Sequence, residues 1–576
     1  MERRVLFAIV LAFLTLYLWQ ALFVKPQPKP AATAGSQATE PARPDPQAPA
    51  QPAEAAPAPP AREAGTLLVS DTSEQDIRVE TRDVIAVFTN RGARLKSWRL
   101  KHYLDTGKQP VELVVADLAA TQPLPFSIRV DDEAVTAALN GALYTLRSGT
   151  DLSGASTRAT EVVFEYRDSA GLHAVKQFTL NPTSYEVGLR ATVTNGDAPL
   201  VPTILWGPGL GDPDSSTGRY AVKPGGLLGP AGSKAQRLAA SAVAKQAVYE
   251  GDFQYAGIED HYFVAATIAP GRSKVSFRPV AVPGAAGATT PARELMAFEV
   301  NLGVHDRPFK VYIGPKDFDE LKAAHGDLVK AIDFGMFDFI IVPLLRSLTW
   351  INGYVGNYGW AIIILTVLIN GVMFPLRHKS VVSMRRMQEI QPEAKAIQDR
   401  YAKLKTTDPA RQKMNQELMA LYKERGVNPA SGCIPMVLTF PVLFAFYSLL
   451  TTAIELRGAP FMLWIHDLSL PDPYYVTPIL MGGSQLWQQW IAPATGVDPA
   501  QRKMMMFMPL VFTFIFVAAP SGTVLYWLVS NVWAIGQQYL TNYLIGPPTV
   551  RTVRPPAERR LKRAGVSRTE AAGPED

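Results

Sequence analysis

The sequence Val355–Leu376, VGNYGWAIIILTVLINGVMFPL, decides the class of fold. Its 22 residues carry no charged side chain, and a helix needs about 20 mostly apolar residues to cross the hydrocarbon core of a bilayer. The segment that follows, residues 377–428, holds twelve Lys and Arg against six Asp and Glu. Positive charge beside a span is typical of the cytoplasmic side. We therefore predict a membrane-spanning helix whose C-terminal end lies in the cytoplasm.

A second apolar run lies at the N-terminus of the chain, where Arg3 and Arg4 precede Val5–Val24. The hydrophobic region of a cleaved signal peptide has only about 7–15 residues, so the length favours an uncleaved signal-anchor helix over residues 1–24. The rival interpretation is cleavage near Ala-Thr-Ala at residues 32–34. Residues 25–64 contain eleven prolines among many alanines, which predicts an extended linker without a core of its own.

Residues 65–325 have the pattern of β-sheet. Tyr185–Thr194 alternates apolar and polar side chains with a period of two, which is typical of a half-buried strand. Glu161–Tyr166 and Ala174–Leu180 flank Asp168-Ser169-Ala170-Gly171, which is a hairpin signal. No long helical period intervenes, so we predict a large all-β sandwich domain. Its position after a signal anchor places the domain in the periplasm.

The last third of the chain predicts a helical membrane core over residues 351–545. Residues 330–350 read as an amphipathic helix lying at the membrane interface, ahead of the span at 355–376. The further predicted spans are Gly432–Thr452, Tyr474–Ile491, Met504–Ala519 and Gly522–Ile545. With the anchor, these make six spans and put the C-terminus in the cytoplasm. The basic tail 546–576 agrees; it is either a topology anchor or a contact with ribosomal RNA or anionic lipid.

The basic segment 377–428 predicts an antiparallel helical hairpin in the cytoplasm. Met384, Met387 and Ile390 begin a stripe of apolar residues at spacings of three and four, which continues to Leu404. A turn at Asp408-Pro409 separates it from a facing stripe. Burial of the two helices against each other explains most of this pattern, while the methionines also suit contact with varied apolar ligands.

The sequence lacks the motifs of the common enzyme classes. It contains no HExxH, GxSxG or P-loop pattern, a single cysteine (Cys433) and seven scattered histidines, so we predict no catalysis, no cofactor and no metal site. Two other functions stay open at this stage. Polar residues inside the spans suit a transporter, although internal repeats are lacking. A β sandwich with Trp98 or Trp206 exposed would suit carbohydrate binding, whereas core packing is the plainer role for both.

Polar side chains recur inside the predicted spans. Such residues usually face other helices or water, because lipid cannot form hydrogen bonds with them. Each one alone suits a hydrogen bond between helices, but their number over five helices favours a shared aqueous cavity. They are Thr366, Asn370, Thr439, Gln485, Gln488, Ser530, Asn531, Gln537 and Gln538.

Several short motifs identify a family. They are Phe374-Pro375-Leu376, Asn428-Pro429 with Gly432-Cys433-Ile434-Pro435, Glu455–Ser469 (ELRGAPFMLWIHDLS) followed by Asp472-Pro473-Tyr474-Tyr475, and Pro520-Ser521-Gly522. With them, residues 330–545 closely resemble the YidC/Oxa/Alb family of membrane protein insertases. The order of anchor, linker and β domain resembles the Gram-negative form.

The resemblance implies a non-enzymatic insertase and chaperone of the bacterial inner membrane, with five of the six spans forming its core. A hydrophilic groove open to the cytoplasm and lipid would receive the polar tail of a substrate, while the substrate helix slides along the third and fifth spans. The implied partners are nascent membrane proteins, the Sec translocon, membrane lipid, and the ribosome through the hairpin and the basic tail. The residues assigned to the groove are Asn370, Thr366, Tyr526, Trp527 and Gln537, and those assigned to the slide are Phe440, Leu443 and Met508.

One position departs from the family pattern. The family carries a positive charge, usually arginine, five residues before the Pro-Leu pair, and here that position is Asn370. Arg377 follows seven residues later, about 10 Å along a helix axis and beyond Pro375. We therefore expect Arg377 to mark the cytoplasmic mouth of the groove and Asn370 to leave the groove without its usual charge.

Overall fold

The computed structural model of the chain describes residues 66–115, 118, 121–149, 159–212, 222–282, 293–301, 303, 308–401, 410–427, 434–491 and 499–545. The predicted signal anchor, linker and basic tail lie outside these residues. The described part forms two compact units. One lies within residues 390–428, and the other comprises the β domain with the remaining helices.

The β domain is built from strands joined in antiparallel pairs. Their bounds are Leu67–Val69 (β1), Asp76–Glu80 (β2), Val84–Thr89 (β3), Arg94–Leu104 (β4), Pro110–Glu112 (β5), Ser127–Arg129 (β6), Thr145–Gly149 (β7), Thr160–Asp168 (β8), Leu172–Leu180 (β9), Glu186–Asn195 (β10), Ala198–Leu200 (β11), Thr203–Trp206 (β12), Gly225–Pro230 (β13), Gln236–Leu238 (β14), Val248–Glu259 (β15), Phe263–Val282 (β16), Arg293–Asn301 (β17) and Phe309–Pro315 (β18).

These strands make two sheets. The smaller has the order β2-β3-β4-β5, and the larger follows the path β1-β8-β9-β10-β18-β16-β15-β13-β14, with the remaining strands attached to it. The predicted hairpin is confirmed, because β8 and β9 pair antiparallel and Gly171 in their turn has φ 89°. The alternating residues of β8 and β9 are buried on one face, as expected for a sheet packed on one side.

The core lies between the two sheets. Phe88 of the small sheet meets Phe178 of the large sheet, with ring centroids 4.7 Å apart. Trp98 is 1% exposed and donates its indole N–H to the carbonyl of Ile313 at 2.9 Å, and Trp206 is 3% exposed. The structure therefore contradicts the idea of exposed tryptophans that stack on a sugar.

Lys176 on β9 ties the sheets together. It is fully buried, and its ammonium donates to the carbonyls of Gly92, Ala93 and Phe126 at 2.6, 3.2 and 2.9 Å. These three residues all have positive φ, at 69°, 46° and 66°, a strained region for Ala and Phe. Burial holds the pKa of Lys176 well below its usual range. The lysine thus satisfies carbonyls that the strained turns leave without partners in the sheets.

The helices follow mainly after the β domain. Their bounds are Glu133–Gly141 (α1), Ala240–Val243 (α2), Phe318–Ala324 (α3), Asp338–Val355 (α4), Tyr358–Glu389 (α5), Gln391–Arg400 (α6), Ala410–Glu424 (α7), Ile434–Thr452 (α8), Val476–Ile491 (α9), Pro499–Phe516 (α10) and Ser521–Ile545 (α11). The predicted interfacial helix of residues 330–350 overlaps α4, which begins later, at Asp338, and exposes Phe339, Trp350 and Tyr354. The predicted spans correspond to α5 and to α8 through α11.

Helix length and apolar composition support one of the predicted spans directly. Among the described residues, one stretch, Tyr358–Met387, is both long and apolar enough to cross a membrane, and Phe440–Thr452 and Met506–Phe516 are shorter apolar stretches. The family architecture of a β-rich domain followed by a helical core is present. The count of six spans stays a prediction.

Helix α5 differs from its predicted bounds. The prediction ended the span at Leu376 and assigned residues 377–428 to the hairpin, but α5 continues through Pro375 as far as Glu389. Met384 and Met387 therefore belong to the last turns of α5, and Ile390 follows directly after it. A proline near the centre of a long helix removes one backbone donor without ending the helix here.

The smaller unit is a pair of short helices. Ala394 of α6 packs against Leu418 and Leu421 of α7, which agrees with the two facing stripes. Ion pairs flank this contact, between Arg425 and Glu393 and between Arg400 and Glu417.

Candidate functional site

The groove candidates on α5 form a hydrogen-bonded ladder within the helix. Thr366 is fully buried and donates its hydroxyl to the carbonyl of Ile362 at 2.6 Å. Asn370 is 3% exposed, and its Nδ2 donates to the carbonyl of Thr366 at 2.8 Å. Both side chains thus bond back to their own helix, as polar groups in an apolar setting commonly do. The side-chain oxygen of Asn370 takes no part in this ladder.

The side-chain oxygen of Asn370 is the hydrogen-bond acceptor for Arg377. The Nη1 of Arg377 donates to Asn370 Oδ1 at 2.7 Å, across seven residues. The reach follows from helix geometry, because side chains tilt toward the N-terminus of their helix and a long one covers the turns before it. The expectation that Arg377 marks the mouth is therefore corrected. Its guanidinium lies at the level of Asn370, the position where the family usually places an arginine.

Helix α11 supplies the facing side of this site. Tyr526 is 6% exposed, and its ring stacks on that of Phe446 with centroids 4.3 Å apart. Gln537 lies further along the same helix and donates to the carbonyl of Phe374 at 3.5 Å. Further along the contact between α5 and α11, which we call the polar seam, His378 Nδ1 lies 3.3 Å from Thr541 Oγ1. A row of polar contacts thus joins α5 to α11.

Trp527 lies on another side of α11. Its ring contacts Phe512 and Phe516 of α10, with centroids 5.8 and 4.7 Å away. It borders an open cavity of about 290 Å³ between α9, α10 and α11. The lining residues are Gln485, Gln488, Gln489, Met508, Pro509, Phe512, Trp527 and Asn531. The structure therefore separates Trp527 from Asn370, Thr366 and Tyr526, and brings it together with Met508, which the sequence assigned to the slide.

Gln485, Gln488 and Asn531 are among the span residues predicted to share an aqueous cavity, but the family resemblance does not assign them to the groove. Asn531 Nδ2 donates to Ser484 Oγ at 3.0 Å and links α11 to α9. By contrast, Gln485 Oε1 in this cavity, and Trp533 Nε1 elsewhere on α11, are buried without a partner among the described residues. Unpaired buried polar atoms are costly unless water reaches them. These atoms therefore support a hydrated interior.

The slide candidates lie at the surface of α8 and α10. Phe440 is 40% exposed and stacks on Phe444, which is 52% exposed, with centroids 5.9 Å apart. Leu443 is half-buried against the core. Met508 is 43% exposed, and its neighbour Phe507 is 64% exposed. Both helices thus present large apolar side chains outward, a surface suited to lipid or to an apolar helix.

Comparison with known proteins gives the same family for both halves of the chain. The family profile described as "60Kd inner membrane protein" matches residues 350–546, and that described as "YidC periplasmic domain" matches residues 76–347. The chain is 36% identical over 575 residues to "Membrane protein insertase YidC" of Syntrophus aciditrophicus, covering 94% of this chain and 99% of the relative.

A second relative and a solved structure also match. The protein of the same name from Citrifermentans bemidjiense is 37% identical over 559 residues, covering 94% of this chain and 99% of the relative. A solved structure, "Active YidC insertase crystal structure with the first transmembrane domain resolved", aligns with 84% of this chain and 95% of its own, at 19% identity and a TM-score of 0.34. At such identity over nearly their whole lengths, the sequence relatives decide the assignment: the chain belongs to the YidC family of membrane protein insertases.

Proposed function

We propose that this protein is a non-enzymatic insertase and chaperone of the bacterial inner membrane. It inserts and helps to fold integral membrane proteins, alone or with the Sec translocon. The observation that carries the proposal is the half-buried Arg377, whose guanidinium donates to Asn370 Oδ1 at 2.7 Å. A positive charge in a polar seam between helices attracts the acidic or polar tail of a substrate, while the outward apolar faces of α8 and α10 accept its hydrophobic helix.

The free energy for insertion comes from the substrate. Apolar residues near the centre of a span each favour insertion by about 0.3–0.6 kcal/mol, whereas a charged residue costs about 2.5–3.5 kcal/mol. A span with about a dozen apolar residues therefore offsets the passage of one charged group, and no nucleotide is needed. The protein lowers the barrier, because a hydrated seam shortens the dehydrated part of the path.

The proposed topology has six spans, with the β domain in the periplasm and residues 377–428 and the C-terminus in the cytoplasm. The twelve basic residues of 377–428 support this orientation. The hairpin of α6 and α7 and the basic tail then face the ribosome, and nascent chains arrive from that side. Lipid completes the groove where α8 and α10 leave it open.

Insertion of substrates with tails of graded charge tests the role of Arg377. We expect Arg377→Gln to slow the insertion of acidic-tailed substrates at least tenfold, which corresponds to about 1.4 kcal/mol, and to affect neutral tails less. Asn370→Leu removes the acceptor that holds the guanidinium, so it should impair the same substrates. Arg386→Gln is the matched control, since Arg386 is exposed near the end of the same helix.

The proposal fails if Arg377→Gln and Arg386→Gln have equal effects on every tail. It also fails if Asn370→Leu is fully active, because Arg377 would then act without the geometry described above.

A further inference from the structure

The segment between α8 and α9, residues 453–475, closes the end of the helical bundle next to the β domain; we call it the cap segment. The backbone N–H groups of Ser521 and Gly522 donate to the carbonyls of Leu470 and Leu468, at 2.8 and 2.9 Å. The Ser521 hydroxyl adds a bond to the carbonyl of Leu470 at 2.6 Å. The first N–H groups of a helix have no partner within the helix. The cap segment therefore supplies the acceptors that the start of α11 needs.

The same segment covers the start of α5. Asn357 Nδ2 donates to the carbonyls of Pro460 and Phe461, at 3.1 and 3.0 Å. Phe461 packs directly over Gly359, where an added Cβ would lie 2.0 Å from the phenylalanine ring. Leu468 is fully buried. The ends of α5 and α11, which carry Thr366 and Tyr526 deeper in the bundle, are thus sealed by one short segment.

The β domain holds this segment through an ion pair. Arg457 Nη1 lies 2.5 Å from Asp212 Oδ2, and the two side chains are 9% and 1% exposed. The guanidinium also lies over the rings of Tyr262 and Phe263, at 5.3 and 5.0 Å from their centroids. Beside it, His261 Nε2 lies 3.0 Å from the carbonyl of Thr451 at the end of α8.

We infer that Asp212 and Arg457 clamp the cap segment shut, so that the β domain positions the periplasmic seal of the insertase groove. This inference rests on the proposed topology and groove. A buried ion pair is strongly destabilised when one partner is lost, because the other charge is left uncompensated. Removal of Asp212 would drive Arg457 toward water. Arg457 belongs to the same segment as Pro460, Phe461 and Leu468. Its displacement would therefore weaken the hydrogen bonds that the cap segment accepts from the starts of α5 and α11.

Cysteine labelling of the full chain in intact cells tests the clamp. The background is Cys433→Ser, which removes the single cysteine, with Thr366→Cys as the reporter inside the bundle. A membrane-impermeant maleimide is added from the periplasmic side after the outer membrane is opened. We expect Asp212→Asn and Arg457→Gln each to raise labelling at least tenfold. The double charge swap, Asp212→Arg with Arg457→Asp, should label less than either single variant.

Two controls separate this inference from the proposed function. Lys330→Gln breaks an exposed ion pair with Asp327 and should leave labelling unchanged. Thr106→Cys, on an exposed turn of the β domain, should label fully from outside in every variant, and protection there would overturn the topology instead. The clamp itself is refuted if the reporter stays protected in both single variants while they are present in the membrane at normal levels. It is also refuted if the charge swap labels as much as the single variants.

Discussion

Two adjacent glycines of α9 allow a paired test of how the helices pack. A Cβ added at Gly482 would lie 2.0 Å from Thr513 Oγ1 of α10 and 3.2 Å from its Cβ, whereas a Cβ at Gly483 meets nothing within 4 Å. Thr513 cannot turn away freely, because its hydroxyl donates to the carbonyl of Pro509 at 2.8 Å. Gly482→Ala must therefore separate α9 from α10 or break that bond, and Gly483→Ala must do neither.

The expected magnitudes follow from these distances. Extra atoms in a packed core lower the free energy of unfolding by about 1–3 kcal/mol. Replacing glycine by alanine inside a helix raises it by about 0.5–1 kcal/mol. Gly483→Ala should therefore be stabilising by about 0.5–1 kcal/mol. Gly482→Ala carries the same gain together with the packing cost, so the two variants should differ by about 1–3 kcal/mol in the free energy of unfolding.

The measurement is unfolding of the full chain by SDS in mixed micelles, followed by circular dichroism. Thr513→Ala in the Gly482→Ala background should recover most of the loss, because it removes the nearest atom. Equal unfolding free energies for Gly482→Ala and Gly483→Ala would refute the close α9–α10 contact. Failure of Thr513→Ala to rescue would show that the strain lies elsewhere.

Two further predictions concern the β domain. Lys176→Met should lower its unfolding free energy by about 3 kcal/mol or more, because three buried carbonyls lose their donor, and calorimetry of the full chain would measure this against the exposed Lys96→Met. Burial and the positive charges of Lys316 and Arg457 lower the pKa of His261 from 6.5 to about 4, against the opposing effect of its hydrogen bond to the carbonyl of Thr451. Its stabilising contribution is therefore complete above about pH 6.5 and falls as the pH drops toward 4, by about 2 kcal/mol at pH 5. The melting temperature of the β domain should show this slope, and His261→Gln should remove it; an unchanged slope would assign the effect to another group.

The sequence predicted well where a periodic pattern reports directly on burial. The alternation in β8 and β9 gave the hairpin, and the stripes that include Ala394 and Leu418 gave the α6–α7 contact. Family motifs after residue 370 indicated the family of the helical core. These features depend on the spacing of nearby residues, which can be read directly from the sequence.

The arrangement of the candidate site was harder to predict from the sequence. Tyr526 and Trp527 are neighbours in sequence, but successive residues of a helix point about 100° apart, so they serve different sides of α11. From the sequence, Arg377 is expected at the cytoplasmic mouth of the groove, because it lies two turns from Asn370 and follows Pro375. Only the observed continuity of α5 shows that its side chain can reach back. Such features depend on the phase and continuity of helices, which composition does not report.

The unbroken length of α5 has a mechanical consequence. Its 32 residues span about 48 Å at 1.5 Å per residue, well beyond the roughly 30 Å of a hydrocarbon core. In the proposed topology, about a third of the helix therefore projects past the bilayer, and the helix is continuous from Asn370 through Pro375 to those turns. A load placed on the projecting turns, such as a partner pressing on the region of Met387, would reach Asn370 along one continuous helix, with Pro375 as the point where that helix can bend. Contacts made more than 20 Å from Asn370 could therefore shift the position of the groove residues on α5, although those residues are themselves unchanged.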